Sequence, residues 1–398
     1  MRLSISMSTC LSTLSAIARF ADPKSTMPVL GHLKLAAHAD GTAAVSATDL
    51  TTWGTGSLSG AREPGAVCVP ARAFLDALKP HKGAVVEVSS DGAGDAPAVE
   101  IRVGSFVRKL QGMPATAFPK LDAPTGPIAG VFDPRELARM LTTVAPSIST
   151  DETRYHLAVA SLRPIDRRRV MLVATDGHRL ARVEGEMFGG PLPGELLIQR
   201  RTVFEIARLA AGKACGSVRI AVGPAWSAWE FGETGIGVFV KRPETTFPPF
   251  EQVIPARPAQ RATVERTAFA RAIREVLAAM QRNERPGIVL GFGGGACRIT
   301  RETPETSAHV ELPCEFEDDA PDVLDAVAVN GAFLLDALDG CTADRITLAF
   351  ENALDPIRID GGPGVLHVVM PMREDLSPRF LPAVAAAAAA EASASAAA

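Results

Sequence analysis

The chain has 398 residues, room for two to four domains at ~100–200 residues each. Hydrophobic residues make up 47% and charged residues 22%, which excludes global disorder and supplies material for real cores. A formal charge of −4 excludes a strong overall basic field, and six scattered cysteines without a CxxC pair exclude a zinc knuckle or disulfide scaffold. They read as reduced thiols of a cytoplasmic protein.

No stretch approaches the ~18 apolar residues of a membrane-spanning helix. Arg2 followed by Ser4 to Ala18 loosely mimics a signal peptide, but serines and threonines break every apolar run there. A first strand running into a helix is the expectation instead.

In chain order, the first unit opens on a helix over Ser8 to Phe20. Ala47-Thr-Asp49, an amphipathic helix over Val69 to Leu78, strands at Ala84–Val88 and Val99–Val103, and Phe118-Pro119 follow. The second unit opens with a helix over Asp133 to Val144, where an acidic N-cap precedes a proline at the first helical position. A strand at Val170–Ala174 then runs into Thr175-Asp176, a second helix covers Gln199 to Leu209, and strands at Val218–Val222 and Gly235–Val240 lead to Phe247-Pro248. The third unit repeats the plan: a helix over Thr267 to Met280, a strand at Ile288–Phe292, a helix over Val329 to Leu338, and strands at Arg345–Phe350 and Val365–Val369.

These patterns recur at a fixed period. Phe74, Phe204 and Phe333 lie 130 and 129 residues apart, Phe118-Pro119 and Phe247-Pro248 lie 129 apart, and Ala47-Thr-Asp49 and Ala174-Thr-Asp176 lie 127 apart. The prediction is an α+β protein of three repeated domains, each with two helices packed on antiparallel sheets. The domains are 1–126, 127–258 and 259–374, joined by proline-rich stretches at 123–127 and 255–258. A tail over 375–398, with six consecutive alanines at 385–390, reads as a disordered or marginally helical appendage.

Gly291-Phe-Gly293-Gly-Gly-Ala296 nominally matches GxGxxA, which would suit an NAD-binding oxidoreductase if a helix followed. Strand-like Cys297-Arg-Ile-Thr300 follows, so a hairpin turn is expected. The acidic run Glu315 to Asp319, between Pro313 and Pro321, reads as a solvated loop rather than a metal site. No HExxH, GxSxG or P-loop occurs, so no catalytic residue, cofactor or metal is assigned. The most specific string is Leu172-Val-Ala-Thr-Asp-Gly-His-Arg-Leu-Ala181, a strand–turn–strand whose Asp and His serve either the local backbone or a site. Val368-Val-Met-Pro-Met-Arg373 suits either an adaptable peptide-binding surface or an ordinary last strand.

Together these two strings resemble the bacterial DNA sliding clamps, the β subunits of replicative DNA polymerase III. Ser25-Thr-Met-Pro-Val-Leu-Gly31, Thr48-Asp-Leu50, Pro64-Gly65, Val69-Pro-Ala-Arg72, Phe118-Pro119, Arg154-Tyr155, Phe247-Pro248 and Val329-Asn330 fall in the family's order, and only the tail has no counterpart. The resemblance implies the DNA clamp fold and a head-to-tail homodimeric ring around duplex DNA. It implies a processivity factor rather than an enzyme, with a divergent clamp for repair or plasmid replication as the alternative.

The resemblance also carries residues. Lys24, Arg72, Tyr155, His156, Arg200 and Arg201 fall at DNA-contacting positions. Unit three departs with Asn330 and Gly331 where the other units carry cations, and His156 stands where a second aromatic is usual. A pocket for short linear peptides of polymerases and clamp-loader subunits is implied. Its first wall is Leu157, Thr175, Gly177, His178, Arg179, Leu180, Pro248 and Val253. Its second is Asn330, Phe333, Leu354, Val368, Met370, Pro371, Met372 and Arg373. Gln252 replaces a usual basic residue, and Arg285 falls where an aromatic is usual. Ring closure is expected at an edge strand near Val103–Leu110.

Overall fold

The computed structural model describes residues 1–91, 94–121, 127–151, 153–256, 258–279, 286–302, 306–316 and 323–373, together with Pro382. The readings of the tail, of Arg285, of Met280 and of the 317–319 part of the acidic run lie outside the described residues. Six α-helices are described: α1 (Met7–Ile17), α2 (Ala71–Leu78), α3 (Pro134–Val144), α4 (Arg200–Ala210), α5 (Arg266–Ala278) and α6 (Gly331–Gly340). Each falls on a helix read from the sequence.

The chain forms two compact units. The first comprises 1–138, 164–168 and 186–244; the second comprises 139–163, 169–185 and the chain from 245 onward. In the first unit, Arg2–Ser6 lies between Ala61–Glu63 and Val85–Ser90, and Ala98–Val103 and Phe106–Gln111 complete a five-stranded antiparallel sheet. Leu3 and Ile5 of the first strand are fully buried, as are Leu14 and Ile17 of α1. The expected strand-into-helix opening is thus met, its apolar residues being core.

The same unit holds a nine-stranded sheet. Its order is Met113–Pro114, Gly65–Pro70, His32–Ala37, Thr42–Thr48, Thr52–Ser59, Ile236–Lys241, Trp226–Phe231, Val218–Val222, Ile128–Phe132. Thr52–Ser59 pairs with Ile236–Lys241 (Gly54 opposite Val238), so strands of the first and second sequence repeats share one sheet. Close approach explains two glycines in that strand: a Cβ on Gly54 would fall 2.2 Å from the Phe20 ring, and one on Gly56 would fall 2.5 Å from Thr13.

The second unit repeats the device. Consecutive strands run Val159–Pro164, Arg169–Thr175, Arg179–Glu186, Val365–Val369, Ile357–Asp360, Arg345–Phe350, Gln260–Glu265, Glu315–Phe316. Here Arg179–Glu186 pairs with Val365–Val369, joining second and third repeats. A four-stranded sheet, Ser307–Pro313, Ala296–Glu302, Gly287–Gly293 and Val323–Asn330, packs with α5 and α6 around Phe269, Phe292, Leu334 and Phe350.

The Gly291–Ala296 stretch is a two-residue hairpin. Gly293 pairs with Ala296, while Gly294 and Gly295 turn the chain at φ +58° and +74°. A strand follows, so the dinucleotide fingerprint lacks the helix that it needs.

The starts of α3, α5 and α6 are capped by side chains. Asp133 Oδ1 accepts from the backbone N–H groups of Arg135 and Glu136, both at 2.9 Å, as the N-cap reading required. Asn330 caps α6 in the same way, accepting from Ala332 and Phe333. The caps also correct the register of the repeat. Pro70, Gln199 and Asn330 are the equivalent N-cap residues, so Phe74 aligns with Val203 and Leu334, all fully buried. Phe204, one place further on, is 43% exposed, and Phe333 falls one place earlier, so matching the three phenylalanines shifts α4 and α6 by one residue in opposite directions relative to α2.

Candidate partner-binding and DNA-contact sites

The Thr175–Arg179 segment of the second unit is a hydrogen-bonded turn. Thr175 Oγ1 donates to the Arg179 carbonyl (2.7 Å) and accepts from the Gly177 N–H (3.1 Å). Asp176 Oδ1 accepts from the N–H groups of His178 (2.9 Å) and Arg179 (3.0 Å). The turn needs a left-handed residue, and Gly177 supplies it at φ +89°. A Cβ there would come within 3.3 Å of Arg154 Nη1 and 4.0 Å of Leu157 Cδ1. Leu157 is buried beside the turn, and His178 stands exposed at its tip.

The C-terminal string meets this turn. Leu180 pairs with Val368 and Arg179 with Val369, after which the chain leaves the sheet. The Met370 N–H donates to the His178 carbonyl at 2.9 Å, Pro371 bridges to Val329, and the Met372 N–H donates to the Ala328 carbonyl at 2.7 Å. Met370 is left 38% exposed, while Met372 packs on Val289 and Ala328. Two strings almost two hundred residues apart therefore present His178 and Met370 side by side.

Other predicted pocket residues take different places. Leu180 and Val368 are buried in the sheet beneath the turn, and Asn330 is committed to capping α6. Pro248 and Val253 flank a segment that Arg163 holds by an ion pair to Glu251 (3.2 Å) and by lying over the rings of Phe247 and Phe250. Val253 is exposed there, and so is Leu354 in a turn made by Asn352. Arg373 is exposed at the end of the described segment.

Arg179 does not extend into solvent. Its Nε donates to Asp176 Oδ2 (3.0 Å), its Nη1 to Asp336 of α6 and its Nη2 to the Pro146 carbonyl, while its guanidinium carbon lies 4.2 Å from the Phe333 ring centroid. Sequence reasoning missed Asp336 and Pro146; their partnership with Arg179 spans 157 and 33 residues and has no local signature. His367 was missed as well. It is buried, and burial, with the nearby Arg179 charge, pushes its imidazole down to about 4, so it is neutral at pH 7.

The predicted DNA-contacting residues divide into two sets. Lys24 and Arg72 are exposed, and so are Tyr155 and His156, whose rings meet edge to face at 5.7 Å. Arg200, the first residue of α4, lies over the Phe204 ring at 4.9 Å. Arg201, 47% exposed at its side chain, also has partners within the protein: it donates to Asp49 Oδ2 (2.7 Å) and to the carbonyls of Arg19 (2.7 Å) and Ala21 (3.0 Å). Beside it, nearly buried Glu205 accepts from both Arg19 and Arg208 at 2.9 Å.

All six cysteines are buried free thiols, and burial pushes Cys68 up to about 11 and Cys314 and Cys341 up to about 12. Among the described residues, no three His, Cys, Asp or Glu side chains gather as metal ligands, and no helix is long and apolar enough to cross a membrane.

The family profile described as DNA polymerase III beta subunit, N-terminal domain, matches residues 1–122, and the one described as its C-terminal domain matches 251–373. Together these matches span more than half of the chain. The chain belongs to the bacterial DNA polymerase III beta subunits, the beta sliding clamps. The beta sliding clamp of Caulobacter vibrioides is 28% identical over 386 residues, covering 94% of this chain and all of the relative. That of Escherichia coli K12 is 26% identical over 393 residues with the same coverage. Among solved structures, the Caulobacter crescentus clamp superposes with a TM-score of 0.86 at 26% identity, covering 94% of this chain and 99% of that one. A Bartonella birtlesii clamp bound to griselimycin gives 0.84, also at 26% identity, covering 94% and 100%. Family membership makes this clamp a DNA polymerase processivity factor.

Proposed function

We propose that two copies of this chain close head to tail into a ring of six repeats around duplex DNA, with 1–126, 127–258 and 259–374 as the repeats. In this reading the ring is a cytoplasmic tether without catalysis of its own. Phe106–Gln111 is an edge strand with exposed Phe106 and Val107, the kind of free edge that pairs with a second chain. Lys24, Arg72, Tyr155, His156 and Arg200 meet the duplex through phosphates without reading bases, so the clamp slides. Enclosure rather than affinity keeps it on DNA, which suits a chain of net charge −4.

The surface around His178 and Met370 takes short linear peptides of polymerase and loader subunits. One observation carries this part: the Met370 N–H to His178 carbonyl bond, 2.9 Å long, sets an exposed thioether beside an exposed imidazole over a buried apolar floor of Leu157, Leu180 and Val368. Apolar peptide anchors seat on such a floor while the rim stays polar. The test is fluorescence anisotropy of a labelled Gln-x-x-Leu-x-Phe-type peptide against the full chain. Micromolar binding, about −8 kcal/mol, that disappears in a His178→Ala, Met370→Ala double variant is the expected outcome. Equal binding to both proteins sinks the assignment.

A further inference from the structure

We infer that Arg179 is a positioning residue of the partner pocket: it fastens the Thr175–Arg179 turn to Asp336 of α6 and to the carbonyl of Pro146, so that α6 sets where His178 and Met370 stand. The inference rests on the pocket reading above. Three of its nitrogens are already engaged, to Asp176, Asp336 and Pro146, and one face of its guanidinium lies against Phe333. With 12% of its side chain exposed, it has little left to offer a peptide. What it holds is the frame of the tip: Asp176 Oδ1 carries the His178 N–H, and the His178 carbonyl carries the Met370 N–H. A shift of the turn therefore moves both rim residues together.

Asp336 and Pro146 line a cavity of about 270 Å³, along with Arg139, Thr142, Asp339 and Thr342. On the side of this cavity the arginine fork and its contact with Phe333 link the turn to α6. A planar guanidinium reaches three acceptors in fixed directions, which a lysine ammonium cannot imitate.

The experiment measures affinity for the same labelled peptide in full-length variants, with thermal unfolding recorded alongside. Asp336→Asn, isosteric and outside the residues read as pocket walls, is expected to weaken binding about tenfold. Asp336→Glu, which keeps the carboxylate, stays within about threefold of wild type. Asp339→Asn, which alters a neighbouring carboxylate paired instead with Arg274, binds as wild type does. Arg179→Lys weakens binding at least as much as Asp336→Asn, and the Arg179→Lys, Asp336→Asn pair is no worse than Arg179→Lys alone, because both break one connection. Asp336→Asn at wild-type affinity overturns the inference, as does a pair whose effects simply add, since Arg179 would then be touching the peptide directly. A wild-type chain that fails to bind removes the pocket reading itself, and this inference with it.

Discussion

One turn occurs twice in this protein, and different arginines close it. In the first unit, Thr48 Oγ1 donates to the Thr52 carbonyl and accepts from the Leu50 N–H, while Asp49 Oδ1 accepts from the N–H groups of Thr51 and Thr52. In the second, Thr175 and Asp176 do the same for Gly177, His178 and Arg179. Each turn feeds the strand that joins one repeat's sheet to the next. The remaining aspartate oxygen makes the difference. Asp49 Oδ2 takes Arg201, which reaches back from the start of α4, whereas Asp176 Oδ2 takes Arg179 from its own turn. Local hydrogen bonding thus builds the frame in both units; the first reaches its helix through an arginine of that helix, the second through an arginine of the turn itself, which holds Asp336 of α6.

Removing each arginine separates these roles most sharply. Arg179→Met leaves nearly buried Asp176 and half-exposed Asp336 without their common partner, and about 2–3 kcal/mol of stability is expected to go, the exposed side of the pair being screened by solvent. Arg201→Met breaks a pair whose arginine side chain is 47% exposed, so the expected loss is about 1 kcal/mol. Urea unfolding of the full-length variants reads both; equal losses would erase the distinction between the turns.

A pH dependence enters through the burial of His367, with the Arg179 charge as the smaller cause. His367, beside Arg179, has its folded value lowered from 6.5 to about 4. Between those values the unfolded chain binds a proton that the folded chain refuses, so stability falls as pH drops through this window and is fully present above 6.5. The whole effect is on the order of 3 kcal/mol, and His367→Gln is expected to flatten that part of the stability-versus-pH curve.

Backbone conformation gives smaller effects than Arg179 or His367. Gly177→Ala forces a side chain into the left-handed region at φ +89° and toward Arg154, at an expected cost of about 1–2 kcal/mol. Leu50 already occupies that region at φ +73°. Leu50→Gly relieves about 1 kcal/mol of strain but adds a similar backbone entropy cost, so its melting curve should lie on that of wild type. A large loss at Leu50 would mean that its side chain, and not the turn, holds that corner.

Much of this was legible in the chain. The acidic cap at Asp133, the Thr-Asp turn pairs and the two-residue glycine hairpin at 294–295 are local, and each appears where its residues point. The helix register was read less well, because matching Phe to Phe ignored the caps: burial follows position after Pro70, Gln199 and Asn330, not residue identity. Of the site, the strings containing His178 and Met370 stood out, whereas the commitments of Arg179 and Arg201 did not. An arginine at a helix start looks the same in sequence whether it meets phosphate or a carboxylate 152 residues away.

The repeated helices and strands, their caps and their turns are set locally, since they depend on hydrogen bonds and apolar spacing within a few residues. Tertiary structure decided which charges are spent inside the protein and which remain for a partner. That choice depends on Coulomb pairing across distant segments, and local sequence does not encode those distances.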